Sequence, residues 1–522
     1  METPETIPAV LRRAAADHGA LEAVVDPGGR PTFAEIEAQV DLRARALVAS
    51  GVEPGDRVAL WAPNGLEWVV LSFAVYAVGA VLVPINTRFK GAEAAHILRT
   101  SGARTLFTVT DFLDTDYVDL LRGQASLEAL AETVVVSGSV HAGTVDRHEW
   151  LGRGEDVDPG EVRRREAQLG AESTSDIVFT SGTTGRPKGV VLRHGASVET
   201  YLQWSGRVGL RAGDRMLVVY PFFHTAGLKS GILAAFLRGV TLVPHAVFEV
   251  ESVMARVASE RISVLPGPPS VFQAILGHPG LPGWDLSSLR LSVTGAATVP
   301  VELIERMRRD LGFESVVTAY GLTETHGTAS ACVGSDPAET IATTVGRPLD
   351  GLEMRIVDDE GDTLEAGESG EVAIRGFNVT AGYYGDPDAT AEAIPDGWLR
   401  TGDVGYLGPD GYLRLIDRKK DLVIVGGFNV SPAEVEAAIL AREDVVQAAV
   451  VAAPDERLGE VPAAFVVARP GRDVDPDEVI AWCRERIANY KVPRFVRVVG
   501  ELPLNASGKV QKVLLREEAA RA

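Results

Sequence analysis

Apolar residues in this chain follow two rhythms. From Ala34 to Ser50 they recur at helical spacing, while Val134-Val135-Val136, Ile177-Val178-Phe179, Met216-Leu217-Val218-Val219, Val264-Leu265 and Leu291-Ser292-Val293 stand as short unbroken runs. Runs of that length suit strands covered on both faces. Their alternation with helices between Ile177 and about Val333 predicts α/β layers with much parallel pairing. One stretch, Trp68 to Ile85, approaches the length of a bilayer span. Pro84 would break a continuous helix, so it reads as a buried helix of about ten residues turning at Gly79 into the strand Val81-Leu82-Val83.

Beyond Gly346 the pattern changes. Glu371-Val372-Ala373-Ile374 and Gly411-Tyr412-Leu413-Arg414-Leu415 are strands set among Gly and Asp turns, which predicts a small β-rich subdomain over about 346–418. After Arg418 a separate unit begins. Ser431-Pro432-Ala433-Glu434 has the form of a capping box with proline at the first helical position. It opens a helix to about Ala441, followed by strands near Val446–Val451 and Ala464–Val467, a helix near Asp477–Ala488 and a strand near Phe495–Val499. The predicted fold class is α/β: a large N-terminal domain (1–418) of mixed sheets with helices plus the β-rich subdomain, and a small α+β C-terminal domain (419–522).

Composition narrows the partners. A length of 522 residues exceeds one ordinary domain. The formal net charge of −21 argues against nucleic acid or an anionic membrane as the main partner. Cys332 and Cys483 are the only cysteines, so a disulfide framework is out and a reducing cytoplasm fits. Met1 to Ala20 lacks a signal-peptide core, and no stable membrane insertion is expected. Only eight of the 51 basic residues are lysine, so each retained lysine carries information. Lys188, Lys419, Lys420, Lys491 and Lys509 all fall in or beside the motifs below.

The chemistry centres on Thr180-Ser181-Gly182-Thr183-Thr184-Gly185-Arg186-Pro187-Lys188-Gly189, which directly follows the run Ile177-Val178-Phe179. Glycines allow close backbone approach, hydroxyls and N–H groups donate to phosphate oxygens, and a lysine adds a point charge. The spacing is not that of the P-loop, which requires lysine directly after its last glycine. This segment resembles the signature of AMP-forming ligases, a superfamily of acyl-CoA synthetases, aryl-CoA ligases, peptide-synthetase adenylation domains and beetle luciferases. Further motifs stand in the order of that superfamily: Pro221-Phe222-Phe223-His224, Gly295-Ala296-Ala297, Tyr320-Gly321-Leu322-Thr323-Glu324-Thr325, Thr401-Gly402-Asp403, Asp417-Arg418-Lys419-Lys420-Asp421, Gly426-Gly427-Phe428-Asn429-Val430 and Asn505-Ala506-Ser507-Gly508-Lys509.

The resemblance implies a carboxylate attacking the α-phosphate of ATP, then thioester formation with CoA from the acyl-adenylate. Thr180 to Lys188 would embrace the β- and γ-phosphates, Thr323 the α-phosphate, and Glu324 a Mg²⁺ ion. The same Thr-Glu pair alone would read as a helix cap. Asp403 and Arg418 would hold the ribose, and Tyr320, Gly321 and Gly295 to Ala297 the adenine. Lys509 would bridge carboxylate and α-phosphate from a mobile C-terminal lid hinged at Lys420. In a second orientation of that lid, Gly426, Gly427 and Phe428 would line the pantetheine tunnel.

By the same resemblance the acyl pocket takes in His224, Thr225, Ala226, Gly227, Lys229, Gly321 and His326, with His224 positioning rather than acting as a base. Over the wider lining of His224 to Lys229, Gly267 to Ser270, Gly295 to Thr298 and Tyr320 to Thr328 most side chains are small or apolar, as at Ala226, Gly227, Leu228, Ala296 and Ala297, so a hydrophobic acid is expected. No aspartate stands at Ala234 or Ala235, which disfavours an α-amino acid. For Lys229 two readings stand open, a solvated surface lysine or a polar contact to a keto or second carboxylate group. Ile262 to Pro269, Val293 to Pro300 and Phe377 to Tyr384 are similar to actinobacterial fatty-acyl-CoA synthetases. They are especially similar to the branch that activates the bicyclic propanoate left from steroid ring degradation. The alternative is an adenylating enzyme with another acid or acceptor: a carrier-protein thiol, an amine, or nitrite activated toward an aryl amine. A homodimer is compatible with the sequence.

Overall fold

The computed structural model describes residues 5–124, 126–180, 187–295, 299–425, 428–455, 457–504 and 510–521. The chain forms two compact units, one of residues 1–353 with 374–399, the other of 354–373 with 400–522. The β-rich segment expected over 346–418 is thus divided between them.

The first unit is built on a sheet of seven strands in the order Val145–Asp146, Glu132–Ser137, Thr105–Val109, Arg57–Trp61, Val81–Pro84, Thr174–Thr180, Lys188–Arg193. Every neighbouring pair is parallel except the last, an antiparallel hairpin. The stretch Trp68 to Ile85 resolves into helix Leu66–Ala77 and strand Val81–Pro84, with Gly79 at φ +76° making the turn. Each residue from Trp68 to Ala77 is buried, so the helix is apolar on all sides because it is enclosed on all sides. Among the described residues no helix is long and apolar enough to cross a membrane. Helix Phe33–Ala49 starts at a capping box in which Thr32 Oγ1 accepts from the Glu35 amide and Glu35 accepts from the Thr32 amide. It buries Phe33, Ile36, Val40, Ala44 and Leu47 along one stripe.

A second layer in this unit pairs Arg215–Val218 with Thr241–Pro244 and Leu291–Thr294 with Ser315–Tyr320, both parallel, with Val264 bridging between them. The carboxyl ends of parallel strands are where α/β proteins place ligands, and Gly295 and Tyr320 stand at such ends.

The second unit carries a sheet ordered Glu353–Val357, Gly370–Arg375, Leu399–Leu407, Leu413–Arg418. It also carries an α+β body on the long hairpin Val445–Asp455 and Gly459–Ala468. That hairpin is covered on one face by Val435, Ile439, Val479 and Cys483 and on the other by Leu502, Leu515 and Ala519. The helix expected near Asp477–Ala488 runs Pro476–Arg484, because the Cys483 carbonyl accepts from both Arg486 and Ile487 and closes it.

Candidate active site

The apolar strand Thr174–Thr180 and its antiparallel partner Lys188–Arg193 place Thr180 directly opposite Lys188. The hairpin tip with Ser181, Gly182, Thr183, Thr184 and Gly185 lies outside the described residues, as do Ala296, Ala297, Gly426, Gly427 and Lys509. Phe428 opens the short strand Phe428–Val430.

Lys188 is the first residue of its strand, and the outer edge of that strand is occupied by the segment Thr380–Tyr384. The Tyr384 amide donates to the Gly189 carbonyl at 2.7 Å, and the Val191 amide donates to the Gly382 carbonyl at 3.0 Å. This added strand delivers Tyr383 to the site. Its ring lies under the Lys188 ammonium, 5.1 Å from nitrogen to centroid, and its hydroxyl donates to Glu324 Oε1 at 3.0 Å. Burial, followed by the charge of Glu324, pushes the Tyr383 phenol well above its usual range, so it stays a neutral donor. Sequence reasoning quoted Tyr383 only as part of a family-like segment and gave it no role.

Thr323 and Glu324 sit in a 3-10 turn, Thr323–Thr325, just past strand Ser315–Tyr320 and Gly321. The turn is fixed from inside by Thr325 Oγ1, which accepts from the Leu322 amide and donates to the Leu322 carbonyl. It is fixed from outside by His326. That ring donates from Nδ1 to the Asn378 carbonyl at 2.7 Å and accepts at Nε2 from the Arg193 amide at 3.0 Å. Full burial lowers the His326 pKa to about 3. With both nitrogens committed to backbone, His326 holds the turn and has none left for a substrate. Glu324 Oε2 accepts no hydrogen bond among the described residues. An anionic oxygen in that state fits a hard cation such as Mg²⁺.

His224 follows Phe222 on a loop anchored from below by Asn64. The Asn64 amide nitrogen donates to the Val218, Tyr220 and His245 carbonyls, and its oxygen accepts from the Phe222 amide. His224 is exposed, and its Nδ1 accepts from the Ala226 amide at 3.2 Å. Thr225 is buried and Ala226 half-buried. Residues Ala226–Leu233 form a π-helix, a geometry often found at functional sites. Gly227 is required there, because a Cβ would stand 2.1 Å from the Pro221 carbonyl oxygen.

Lys229, in the π-helix, overturns the expectation of a solvated surface lysine. Its side chain is 1% exposed and donates to Asp176 Oδ2 at 2.5 Å, over the ring of Tyr76. Asp176, 0% exposed, also accepts from the Tyr76 hydroxyl and from Ser175 Oγ, both at 2.5 Å. Desolvation lowers the Lys229 pKa, opposed by the charge of Asp176. The lysine was singled out by its scarcity, but its partner lies in the strand before the phosphate loop and no local pattern connects them.

In the second unit, Asp403 and Arg418 face each other across paired strands, with Arg418 Nε 2.6 Å from Asp403 Oδ1. Glu371, unforeseen from sequence, ties this corner together. Its Oε1 accepts from the Gly402 amide at 3.0 Å, and its Oε2 accepts from Arg400 and from Lys419. Lys420 lies in the turn Lys419–Asp421, and its carbonyl accepts from Arg516 at 3.1 Å.

This arrangement has counterparts in known proteins. The AMP-binding enzyme family matches residues 11–384, and the AMP-binding enzyme C-terminal domain matches residues 434–509. The chain belongs to the AMP-binding enzyme family. It is 46% identical, over 99% of both chains, to a 3-[(3aS,4S,7aS)-7a-methyl-1,5-dioxo-octahydro-1H-inden-4-yl]propanoyl:CoA ligase of Rhodococcus jostii (strain RHA1). It is 47% identical, over 98% of both chains, to the Mycobacterium tuberculosis (strain ATCC 25618 / H37Rv) ligase of the same name. A solved anthranilate CoA ligase, AuaEII, in complex with anthranoyl-AMP superposes with a TM-score of 0.87 at 28% identity, covering 100% of this chain and 98% of that one. This member of the AMP-binding enzymes is an acyl-CoA ligase. It activates a hydrophobic carboxylic acid with ATP to the acyl-adenylate and transfers the acyl group to CoA.

Proposed function

We propose that the acid is a bicyclic propanoate bearing ring ketones, and that CoA is the physiological acceptor. The observation that carries this reading is the 46% and 47% identity, over nearly full length, to two ligases named for that acid.

In this reading the family roles fall on the matching residues. Thr180 and Lys188, with the intervening loop, hold the β- and γ-phosphates, and Thr323 the α-phosphate. Asp403 and Arg418 take the ribose, and Tyr320 and Gly295 flank the adenine. Carboxylate and triphosphate repel, so the site must gather positive groups where charge develops. A carboxylate oxygen of the acid forms a bond to the α-phosphorus as the bond to the bridging oxygen breaks and pyrophosphate departs. Lys509 supplies the ammonium between carboxylate and α-phosphate. A Mg²⁺ ion held by Glu324 would neutralise phosphate charge when bound. The CoA thiolate then forms the thioester bond as AMP leaves, with Gly426, Gly427 and Phe428 along its path.

The test is mass spectrometry of the protein with ATP, Mg²⁺ and a panel of acids, with and without CoA. The panel spans the bicyclic diketo propanoate, fatty acids and aryl acids. Acyl-CoA formed preferentially from the bicyclic acid supports the reading. Acyl-CoA formed only from fatty or aryl acids overturns the acid, and acyl-adenylate accumulating in the presence of CoA overturns the acceptor.

A further inference from the structure

Between the lysine that ends the phosphate hairpin and the carboxylate assigned to the cation stands an aromatic side chain that the reaction as described does not use. Tyr383 touches both. Its ring faces the Lys188 ammonium at 5.1 Å and its hydroxyl reaches Glu324 Oε1 at 3.0 Å. Thr380, on the same added strand, donates its amide to the Glu324 backbone carbonyl at 2.8 Å, so both main chain and side chain of Glu324 are fixed from one place.

We propose that Tyr383 is a positioning residue of the nucleotide site, aiming the Glu324 carboxylate and seating the Lys188 ammonium before Mg·ATP arrives. The inference rests on the roles proposed above for Lys188 and Glu324. Among the described residues no salt bridge joins Lys188 to Glu324, and the neutral Tyr383 phenol meets both. It satisfies one carboxylate oxygen and leaves Oε2 for the cation, and it holds the ammonium by its ring face, which leaves the N–H donors for phosphate oxygens. Side chains fixed in their working geometry need no ordering when the ligand binds.

The test is calorimetric binding of Mg·ATP to the full-length enzyme without acid or CoA, for wild type, Tyr383→Phe, Glu324→Gln and the double variant. Phenylalanine keeps the ring and the packing and removes only the hydroxyl. Removing a hydrogen bond that holds a charged ligand group in its working geometry weakens binding on the order of 10-fold. That loss is expected for Tyr383→Phe, with the half-saturating Mg²⁺ concentration rising alongside. In the Glu324→Gln background the same substitution is expected to add less than about 2-fold, since its target is gone.

Wild-type Mg·ATP affinity in Tyr383→Phe overturns the proposal. So does an undiminished effect in the Glu324→Gln background, because Tyr383 would then act through something other than Glu324. If Glu324→Gln alone binds Mg·ATP as wild type does, the assignment of Glu324 falls and the proposal falls with it. A weakened Glu324→Gln beside an unaffected Tyr383→Phe removes Tyr383 alone.

Discussion

Replacing Lys229 by methionine is the sharpest test of the interior. Methionine keeps the length and most of the volume of the side chain but removes the ammonium, and Asp176 stays buried with, among the described residues, the Tyr76 and Ser175 hydroxyls to meet its charge. Breaking one partner of a buried ion pair costs about 3–5 kcal/mol, because the survivor is a charge without water. Against a domain stability of roughly 5–15 kcal/mol, that is a large share. The double variant Asp176→Asn, Lys229→Met is different. It removes both charges, keeps an amide to accept from Tyr76, and is expected to recover to within about 1 kcal/mol of wild type, since neutral replacements of buried pairs are often harmless or stabilising. Urea unfolding followed by far-ultraviolet circular dichroism reads the order wild type, double, single. A single variant that loses less than about 1 kcal/mol refutes the reasoning, as would a double variant no more stable than the single.

Two further predictions concern charge. His194 and His326 are buried and neutral, with pKa values lowered by desolvation to about 3, whereas unfolded histidine titrates near 6.5. The unfolded chain therefore takes up these protons first. The contribution to stability is complete above about pH 6.5 and is lost as pH falls toward 3, amounting to about 2 kcal/mol per histidine by pH 5. Equal unfolding free energies at pH 7.5 and pH 5 would refute the sealed, neutral state of these rings. In the second unit, Asp403→Asn keeps the shape of the Asp403–Arg418 pair but would weaken the charge-assisted bonds to ribose proposed above. The variant is expected to raise the KM for ATP by about 10-fold or more, with a smaller change in kcat. It should also narrow the preference for ATP over its 2′,3′-dideoxy analogue in steady-state assays, and an unchanged preference would remove Asp403 from the ribose.

What the sequence made legible was local, and what it hid was contact between distant segments. The break of Trp68 to Ile85 into helix and strand could be read from Gly79 and Pro84 because both act on their own backbone. Ser431 was legible for the same reason, and its hydroxyl accepts from the Glu434 amide at 3.3 Å. The other half of that expected box does not form. The Glu434 carboxylate turns to Lys491 at 2.7 Å, and Asp417 accepts from the Ala433 amide. A partner brought by tertiary folding displaced a local one. Tyr383 follows the same logic: nothing in its own segment names Glu324, because only the added strand beside Lys188–Arg193 joins them.

The scarcity of lysine therefore carries a broader meaning than catalysis. Lys229 reaches a buried aspartate, Lys491 reaches Glu434, Lys512 reaches Glu436 at 2.8 Å, and Lys419 lies between Asp359 and Glu371. In a chain that otherwise uses arginine for its cations, Lys229 is where one compact ammonium meets one carboxylate in a confined space, a geometry that a planar guanidinium fork fits poorly, whereas the pairs of Lys419 and Lys491 are partly exposed. The setting of each ammonium came from its partner, which at Lys229 is a buried aspartate and at Lys188 is the ring of Tyr383.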